Sequence, residues 1–390
     1  MQCGSRCPPK SWVAPIARIS SVPFRSWRGV LGNHPTMVRF VVRRLLQAIP
    51  TLLGVSVISF AIVYNSPGDP ILIRTFDPNI TQESREILRR QLGLDQHWTL
   101  QYVGWLTGIT LRRGDVAQEF TRKGTGCTYV SGVNATVCDN GGGILRGNLG
   151  TSIATNQAVW DRLTQRMPAT FRLGSWALLV SLAVGVSLGV LSAVHQGSML
   201  DNALRVLAVM GNALPNFWFG ILLILVFGVV LGWLPTGGRQ SVSLTNEFDL
   251  VDRLRHLVLP TIVLAFGGIA SLSRYMRTET LEVIRTDYIR MARAKGLAAR
   301  RIWFIHALRN ALIPLMTILG PAILGILSGA VVTETVFSWP GTGRLTFSAA
   351  VQRDYPTVLG AVMFFSLLTI LGNLLSDILY GVVDPRVRLA

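Results

Sequence analysis

Apolar residues gather into six nearly uninterrupted runs, at about Leu45–Tyr64, Leu173–Val194, Val206–Leu231, Leu257–Met276, Ala311–Val332 and Val358–Leu379. Each is close to the roughly 20 residues that carry a helix across the roughly 30 Å hydrocarbon core of a bilayer. Within lipid, a helix satisfies all of its backbone polar groups inside one segment, so runs of this length predict transmembrane helices. The pattern predicts an all-α integral membrane protein with about six transmembrane helices. A long polar region, 65–168, separates the first two runs and predicts a large loop. Within it Thr81 is placed to cap a short amphipathic helix ending near Leu92, while a Gly-rich stretch at about 114–144 reads as loop. Residues 1–36, rich in Pro, Ser, Arg and Gly, are expected to be a disordered extension. Met37 then opens the segment 37–64, in which Arg39, Arg43 and Arg44 lead directly into the first span, and reads as the natural start. Residues 169–390 form a core of five spans with one long inner loop, 277–310.

Charge settles which side each loop faces. Half of the residues are apolar and only 15% are charged, which excludes an ordinary soluble domain. The net charge of +17 would suit a nucleic-acid binder, but most cations flank apolar runs and no aromatic-interleaved basic module occurs. Arg274 to Arg309 collects nine basic residues against Glu279, Glu282 and Asp287. The loops on the other side mix their signs: Arg239, Arg253 and Arg255 accompany Glu247, Asp249 and Asp252, and Arg344 and Arg353 accompany Glu334 and Asp354. The Lys/Arg bias places the 277–310 loop and both termini in the cytoplasm and residues 65–168 outside the cell membrane.

Catalytic chemistry is absent from the sequence. There is no Gly-x-x-x-x-Gly-Lys-Ser/Thr phosphate loop, no His-Glu-x-x-His and no Gly-x-Ser-x-Gly, and the four cysteines lack histidines at zinc-ligand spacing, so no catalytic or metal site is expected. Cys127 and Cys138 lie in the outer loop, where an oxidising compartment would let them bridge; free thiols are the alternative. Ionisable residues are almost missing from the six runs, so active transport would have to draw its energy from another subunit. Pro215, flanked by Asn212 and Asn216 in the third run, and Pro321 in the fifth free backbone carbonyls and are candidates for the wall of a translocation path. Gly185 with Gly189, Gly228 with Gly232, and Gly325 with Gly329 have the spacing that permits close helix packing. Asp377, near the end of the sixth run, reads as interfacial.

The most distinctive stretch is Asp287 to Pro314, which reads as two short helices joined at Gly296. It resembles the cytoplasmic "EAA" loop of the permease subunits of binding-protein-dependent ABC importers, in the version typical of dipeptide, oligopeptide and nickel systems. Tyr288-Ile289-Arg290, Ala292-Arg293-Ala294-Lys295-Gly296-Leu297 and His306 through Pro314 carry the likeness. It continues in Arg43-Arg44-Leu45-Leu46-Gln47, in Leu214-Pro215 with Phe217-Trp218, in Glu334-Thr335-Val336-Phe337 through Leu345, and in the outer turn Leu145 through Ser152. The acidic position of the general pattern falls on Arg290 and its first Ala on Met291, and about 114–144 reads as an insertion.

The resemblance implies a non-catalytic transport subunit. Its partners would be a second, homologous permease, two cytoplasmic ATPase subunits that bind ATP and Mg, and an extracytoplasmic peptide-binding protein; membrane lipid surrounds it and no cofactor binds this chain. The implied ATPase contact comprises Ile284, Asp287, Tyr288, Arg290, Met291, Ala292, Arg293, Ala294, Lys295, Gly296 and Leu297. Ile284, Tyr288, Met291 and Ala292 are the anchors of a helix-in-groove contact, and Arg290, Arg293 and Lys295 set its orientation. Peptides are the implied cargo, with nickel or glutathione as alternatives inside the family; an ATP-independent channel or secondary transporter is the reading outside it.

Overall fold

A computed structural model of the chain describes residues 34–66, 82–83, 86, 94–113, 127–130, 135–139, 142–241 and 249–383. Most of the helix expected at Thr81–Leu92, most of the 1–36 extension and most of 114–144 lie outside these residues. Helix α1, His34–Tyr64, begins ahead of Met37 and passes through Pro50 unbroken. A short helix α2, Trp98–Thr107, follows; Tyr102 on it hydrogen-bonds to Ser56 of α1 at 2.8 Å. The core then comprises α3 (Val159–Val194), α4 (Met199–Ala213), α5 (Asn216–Leu223, prolonged by a π-helical stretch Ile224–Val230) and α6 (Leu250–Ile284). After it come α7 (Asp287–Ala294), α8 (Ala299–Arg301), a π-helical stretch Ile302–Ala307, and α9 (Leu308–Ala311). The chain ends in α10 (Leu315–Gly325), α11 (Val331–Val336), α12 (Thr342–Val351) and α13 (Tyr355–Val383).

Among the described residues, five helices are long and apolar enough to cross a membrane, and a sixth span results if the bent pair α4 and α5 is counted as one. That pair turns through 101° at Leu214-Pro215, where proline removes an amide from the helical ladder. Pro321 behaves differently. It lies within α10 without breaking it, and the fifth run breaks instead at Gly329, whose φ of +82° is open to glycine at little cost. There the chain also passes Gly343 so closely that a Cβ on Gly329 would lie 2.6 Å from its amide nitrogen.

Helix ends depart from the apolar runs. α3 starts at Val159 rather than near Leu173, and α6 extends from Leu250 to Ile284 rather than Leu257 to Met276, because amphipathic turns continue each helix beyond the lipid-matched stretch. The first turn of α3 is anchored by an ion pair. Arg162 reaches Asp354 at 2.8 Å, and the same carboxylate accepts from Ser152 Oγ and the Ile153 amide, tying the 145–152 turn to the start of α13.

Helices α3 and α6 form the largest pairing. A Cβ on Gly185 would lie 2.9 Å from Leu272 Cβ, and one on Gly189 would lie 2.6 Å from both Met276 Cβ and the Ser273 carbonyl. This glycine pair therefore does what its spacing suggested. The other two pairs do not: Gly228 meets Thr236 of its own following turn, while a Cβ on Gly232 or Gly325 would meet nothing. A Gly189→Leu substitution is expected to force α3 and α6 apart and cost at least about 1–3 kcal/mol, the usual range for overpacking. Thermal unfolding of the detergent-solubilised protein measures it; the same change at Gly325, whose φ is −60° and whose added Cβ would meet nothing within 4 Å, gives the baseline for a glycine outside that packing.

The outer region holds a departure from the helical pattern. Residues expected as loop form part of a three-stranded antiparallel sheet in the order β1 (Ile109–Arg113), β3 (Ala135–Asp139), β2 (Cys127–Val130). Strands of four and five residues set among glycines are too short to show an alternating pattern. Cys127 lies opposite Cys138 in the β2–β3 register, and Cys138 is disulfide-bonded and buried.

Candidate functional site: a docking unit on the end of α6

At the end of α6 the chain folds back sharply. The Thr286 amide and hydroxyl both donate to the Val283 carbonyl, at 3.1 and 2.6 Å, and Thr286 then adopts the extended conformation that starts α7. Asp287 in the first turn suits the positive end of the helix dipole and Arg293 in the last turn suits the negative end. The helix closes in a Schellman motif: Leu297 N–H donates to Ala292 O at 3.3 Å and Gly296 N–H to Arg293 O at 2.9 Å. This closure needs the left-handed φ of +75° at Gly296.

Packing makes α7 to α9 one unit. Ile289, Ile302 and Ala307 are fully or almost fully buried and gather Val283, Ala292, Leu297 and Trp303 around them. The Arg293 guanidinium stacks 4.7 Å from the centre of the Trp303 ring, and Asn310 Nδ2 donates to Tyr288 Oη at 2.6 Å. Both contacts pin the first short helix to the second. The π-helical stretch within the second, between α8 and α9, shifts the register by which its side chains face α7.

The outer surface of the unit is a small apolar tip in a basic rim. Met291 is 56% and Tyr288 40% exposed, and Arg290, Ala294, Lys295, Gly296, Arg300 and Arg301 are exposed around them. Arg290 pairs with Asp287 at 3.5 Å, with both side chains largely in solvent, a pairing of little energetic weight. Ala292 packs inward against the Ile289 cluster, Leu297 does likewise, and Ile284 is half-buried, so of the four expected anchors only Tyr288 and Met291 face out. Ile289, the keystone, was not singled out by sequence, although it sits on the opposite face of α7 from Met291.

Two buried carboxylates complete the site's connection to the bundle. Asp201, at the start of α4 and 1% exposed, receives Arg277 of α6 in a bidentate pair, with both N···O distances 2.8 Å. Ser192 Oγ of α3 and the Gly197 amide donate to the same carboxylate. One acid thus joins α3, α4 and the helix that runs on into α7. Glu334, on α11 at the other end of the bundle, is fully buried rather than lying in a solvated loop. Thr170 Oγ1 donates to Glu334 Oε1 at 3.0 Å and the Arg344 amide to Oε2 at 2.9 Å, with the Gly343 amide also bonded. These amides at the start of α12 and the Thr170 hydroxyl replace the water that burial has removed from the carboxyl group. Gly341 is required beside it, since a Cβ there would lie 2.3 Å from Glu334 Cδ.

Thr170, Ser181, Gly325, Gly329 and Glu334 line a cavity of about 280 Å³ between α3, α6, α10 and α11. None of the four residues expected along a translocation path lines it. Asn212 instead donates to Ala208 O and accepts from Ser271 Oγ, both at 3.0 Å; Pro215 and Asn216 are exposed at the bend, and Pro321 packs against Gly372 of α13. Asp377 pairs with Arg44 of α1 at 3.1 Å, with both side chains partly exposed, as suits an interfacial position.

Residues 185–389, which contain the docking unit and both carboxylates, match the family described as binding-protein-dependent transport system inner membrane component, and residues 37–140 match its N-terminal region. The chain belongs to this family. It is therefore a multi-pass membrane component of a transport system that works with a binding protein. Among curated relatives, the oligopeptide transport system permease protein AppB of Bacillus subtilis is 38% identical, over 90% of this chain and all of that protein. The dipeptide transport system permease protein DppB of Escherichia coli K12 is 36% identical over 90% of this chain and 99% of its own length. The di/tripeptide permease DppB of Pseudomonas aeruginosa matches at the same identity and coverage. In this family member the Asp201–Arg277 pair ties α3 and α4 to α6, the helix that leads into the α7 to α9 unit.

Proposed function

We propose that this chain is the permease subunit of a peptide importer and that α7 to α9 is where partner ATPases drive it. The observation that carries the reading is the exposed tip of Tyr288 and Met291 on a rigid, buried scaffold continuous with α6. A groove on an ATPase subunit would receive that tip, with the basic rim setting its orientation. ATP and Mg would bind the ATPases alone; this chain would hold no cofactor. The complex would contain a second homologous permease, two ATPase subunits and an external peptide-binding protein, with both termini of this chain in the cytoplasm. Closure of the ATPases would move the docked unit as a rigid body and tilt α6, and with it α3 and α4, between two arrangements of the bundle. The basic loop surface agrees with the cytoplasmic placement. The permease relatives, named for dipeptides and oligopeptides, favour peptides over nickel or glutathione as cargo.

The test is reconstitution of the complete complex in liposomes with its binding protein. Accumulation of a labelled dipeptide that requires both ATP and the binding protein supports the reading. Uptake by this chain alone, without ATPases, would refute it.

A further inference from the structure

The second half of the α7 to α9 unit carries an apolar patch that its own core leaves out. Along the helical segment from Ala299 to Ala311, Ile302 and Ala307 turn inward to Ile289, whereas Phe304 and Ile305 between them are 47% and 54% exposed. The π-helical turn is the cause. The Leu308 amide reaches back five residues to the Trp303 carbonyl, so residues 302 and 307 share one face and the pair midway between them falls on the other. On α7, Tyr288 and Met291 point away from the same core, so the unit has two exposed apolar faces, one on each helix.

Charge and depth set the second face apart. Arg300 and Arg301 precede Phe304 and Ile305 by about one turn, Arg309 follows Ile305 by about one turn, and all three are exposed. Just beyond the patch, Leu308 and Leu312 pack with Leu272 and Met276 of α6 and with Leu315 at the start of α10. Leu272 and Met276 belong to a candidate span and α10 leads into the next, so α9 sits directly on the ends of two membrane helices. Phe304 and Ile305, only about 5 Å along the helix from Leu308, thus lie at the depth where hydrocarbon gives way to headgroups.

We propose that Phe304 and Ile305 seat in the cytoplasmic leaflet and that Arg301 and Arg309 hold the phosphates of anionic lipids beside them. The cytoplasmic side is taken from the importer reading. A helical face with aromatic and aliphatic side chains at its centre and arginines at its edges buries the first at the headgroup boundary and pairs the second with lipid phosphate, which the planar guanidinium fork fits. A second copy of this chain fits the patch less well, because it would bring the same arginines to the contact. An ATPase groove has Tyr288 and Met291 on the other helix. The leaflet then carries one face of the docking unit while the ATPase carries the other.

The test puts the photoreactive residue benzoylphenylalanine at Phe304 in the whole complex, in nanodiscs of phosphatidylcholine and phosphatidylglycerol in equal amounts, and identifies the adducts by mass spectrometry. Phospholipid adducts are expected, with the anionic lipid favoured about tenfold or more over the zwitterionic one, and Arg309→Gln should lower that preference about fivefold. The same probe at Ile305 gives the same reading should the change at Phe304 disturb the fold. Adducts formed mainly with an ATPase or with the second permease at both positions would overturn the proposal. So would the absence of adducts at both, or lipid adducts without preference for the anionic lipid, as would a preference that Arg309→Gln leaves unchanged. The probe at Met291 is expected to label an ATPase subunit instead. Lipid adducts at Phe304 with no ATPase adduct at Met291 would leave the lipid contact standing and overturn the docking role in the importer reading.

Discussion

A Gly296→Trp variant is expected to insert and fold but to lose nearly all ATP-driven uptake, while its partner ATPases continue to hydrolyse ATP. A Cβ at Gly296 would meet nothing within 4 Å among the described residues, so a bulky side chain there is expected to project into the space a docked groove would occupy. The backbone contributes separately, since φ is +75° and a non-glycine residue there costs about 1–2 kcal/mol. Asn accepts the left-handed conformation better than most residues and is small. Gly296→Asn should therefore retain most of the uptake, whereas Trp should not. Equal uptake by Trp and wild type would remove α7 to α9 from the coupling role; equal loss with Asn and Trp would make backbone geometry, rather than contact with a partner, responsible. A Met291→Asp variant gives a check without backbone strain. It puts a charge on the exposed tip and should reduce uptake with little change in the thermal stability of this chain.

Asp201→Asn is expected to have the largest effect on stability. It removes the negative partner of Arg277, a guanidinium only 20% exposed, and breaks one node shared by α3, α4 and α6. Breaking a buried ion pair from one side typically costs about 3–5 kcal/mol, because the remaining charge is left without compensation. Removing both charges avoids that penalty, so Asp201→Asn/Arg277→Gln should recover part of the loss. Thermal unfolding of the purified protein reads both variants. If the single variant matches wild type, the pair does not hold these helices together. A further consequence follows from the position of Arg277, about two turns before the end of α6. In the partly stabilised double variant, movement of the docking unit should reach α3 and α4 less completely, giving ATP hydrolysis with lowered uptake.

The docking unit shows how far residue patterns reach and where they stop. Its helix end was legible because a Schellman closure needs a residue free to adopt positive φ, and Gly296 follows a helical pattern with basic residues in its last turn. Its inward face was not legible. α7 has only eight residues, and whether Ala292 or Met291 faces out depends on where Ile302 and Ala307 of the following segment settle. Arg293 stacks on Trp303 while remaining exposed, and that contact depends on a π-helical stretch no local propensity announces. The two buried acids were obscured for a related reason. Asp201 and Glu334 lie at the edges of apolar runs, where a charge ordinarily reads as interfacial, and only the partners Arg277, Thr170 and the 343–344 amides reveal them as buried nodes.

The sequence by itself determined that the chain spans a membrane about six times, which face is basic, and which family it belongs to. These properties follow from local quantities: the length of an apolar run against bilayer thickness, the sign of flanking charge, and motifs whose glycines and prolines constrain their own backbone. Tertiary structure decided that Pro215 bends the third span whereas Pro321 leaves α10 intact, that Gly185 and Gly189 are the glycine pair that packs α3 against α6, and that short strands pair between Ile109 and Asp139. It also decided which side chains of α7 to α9 face outward. Each of these outcomes depends on atoms distant in the chain meeting at 2.5 to 4 Å, and the neighbour across that gap sets the result.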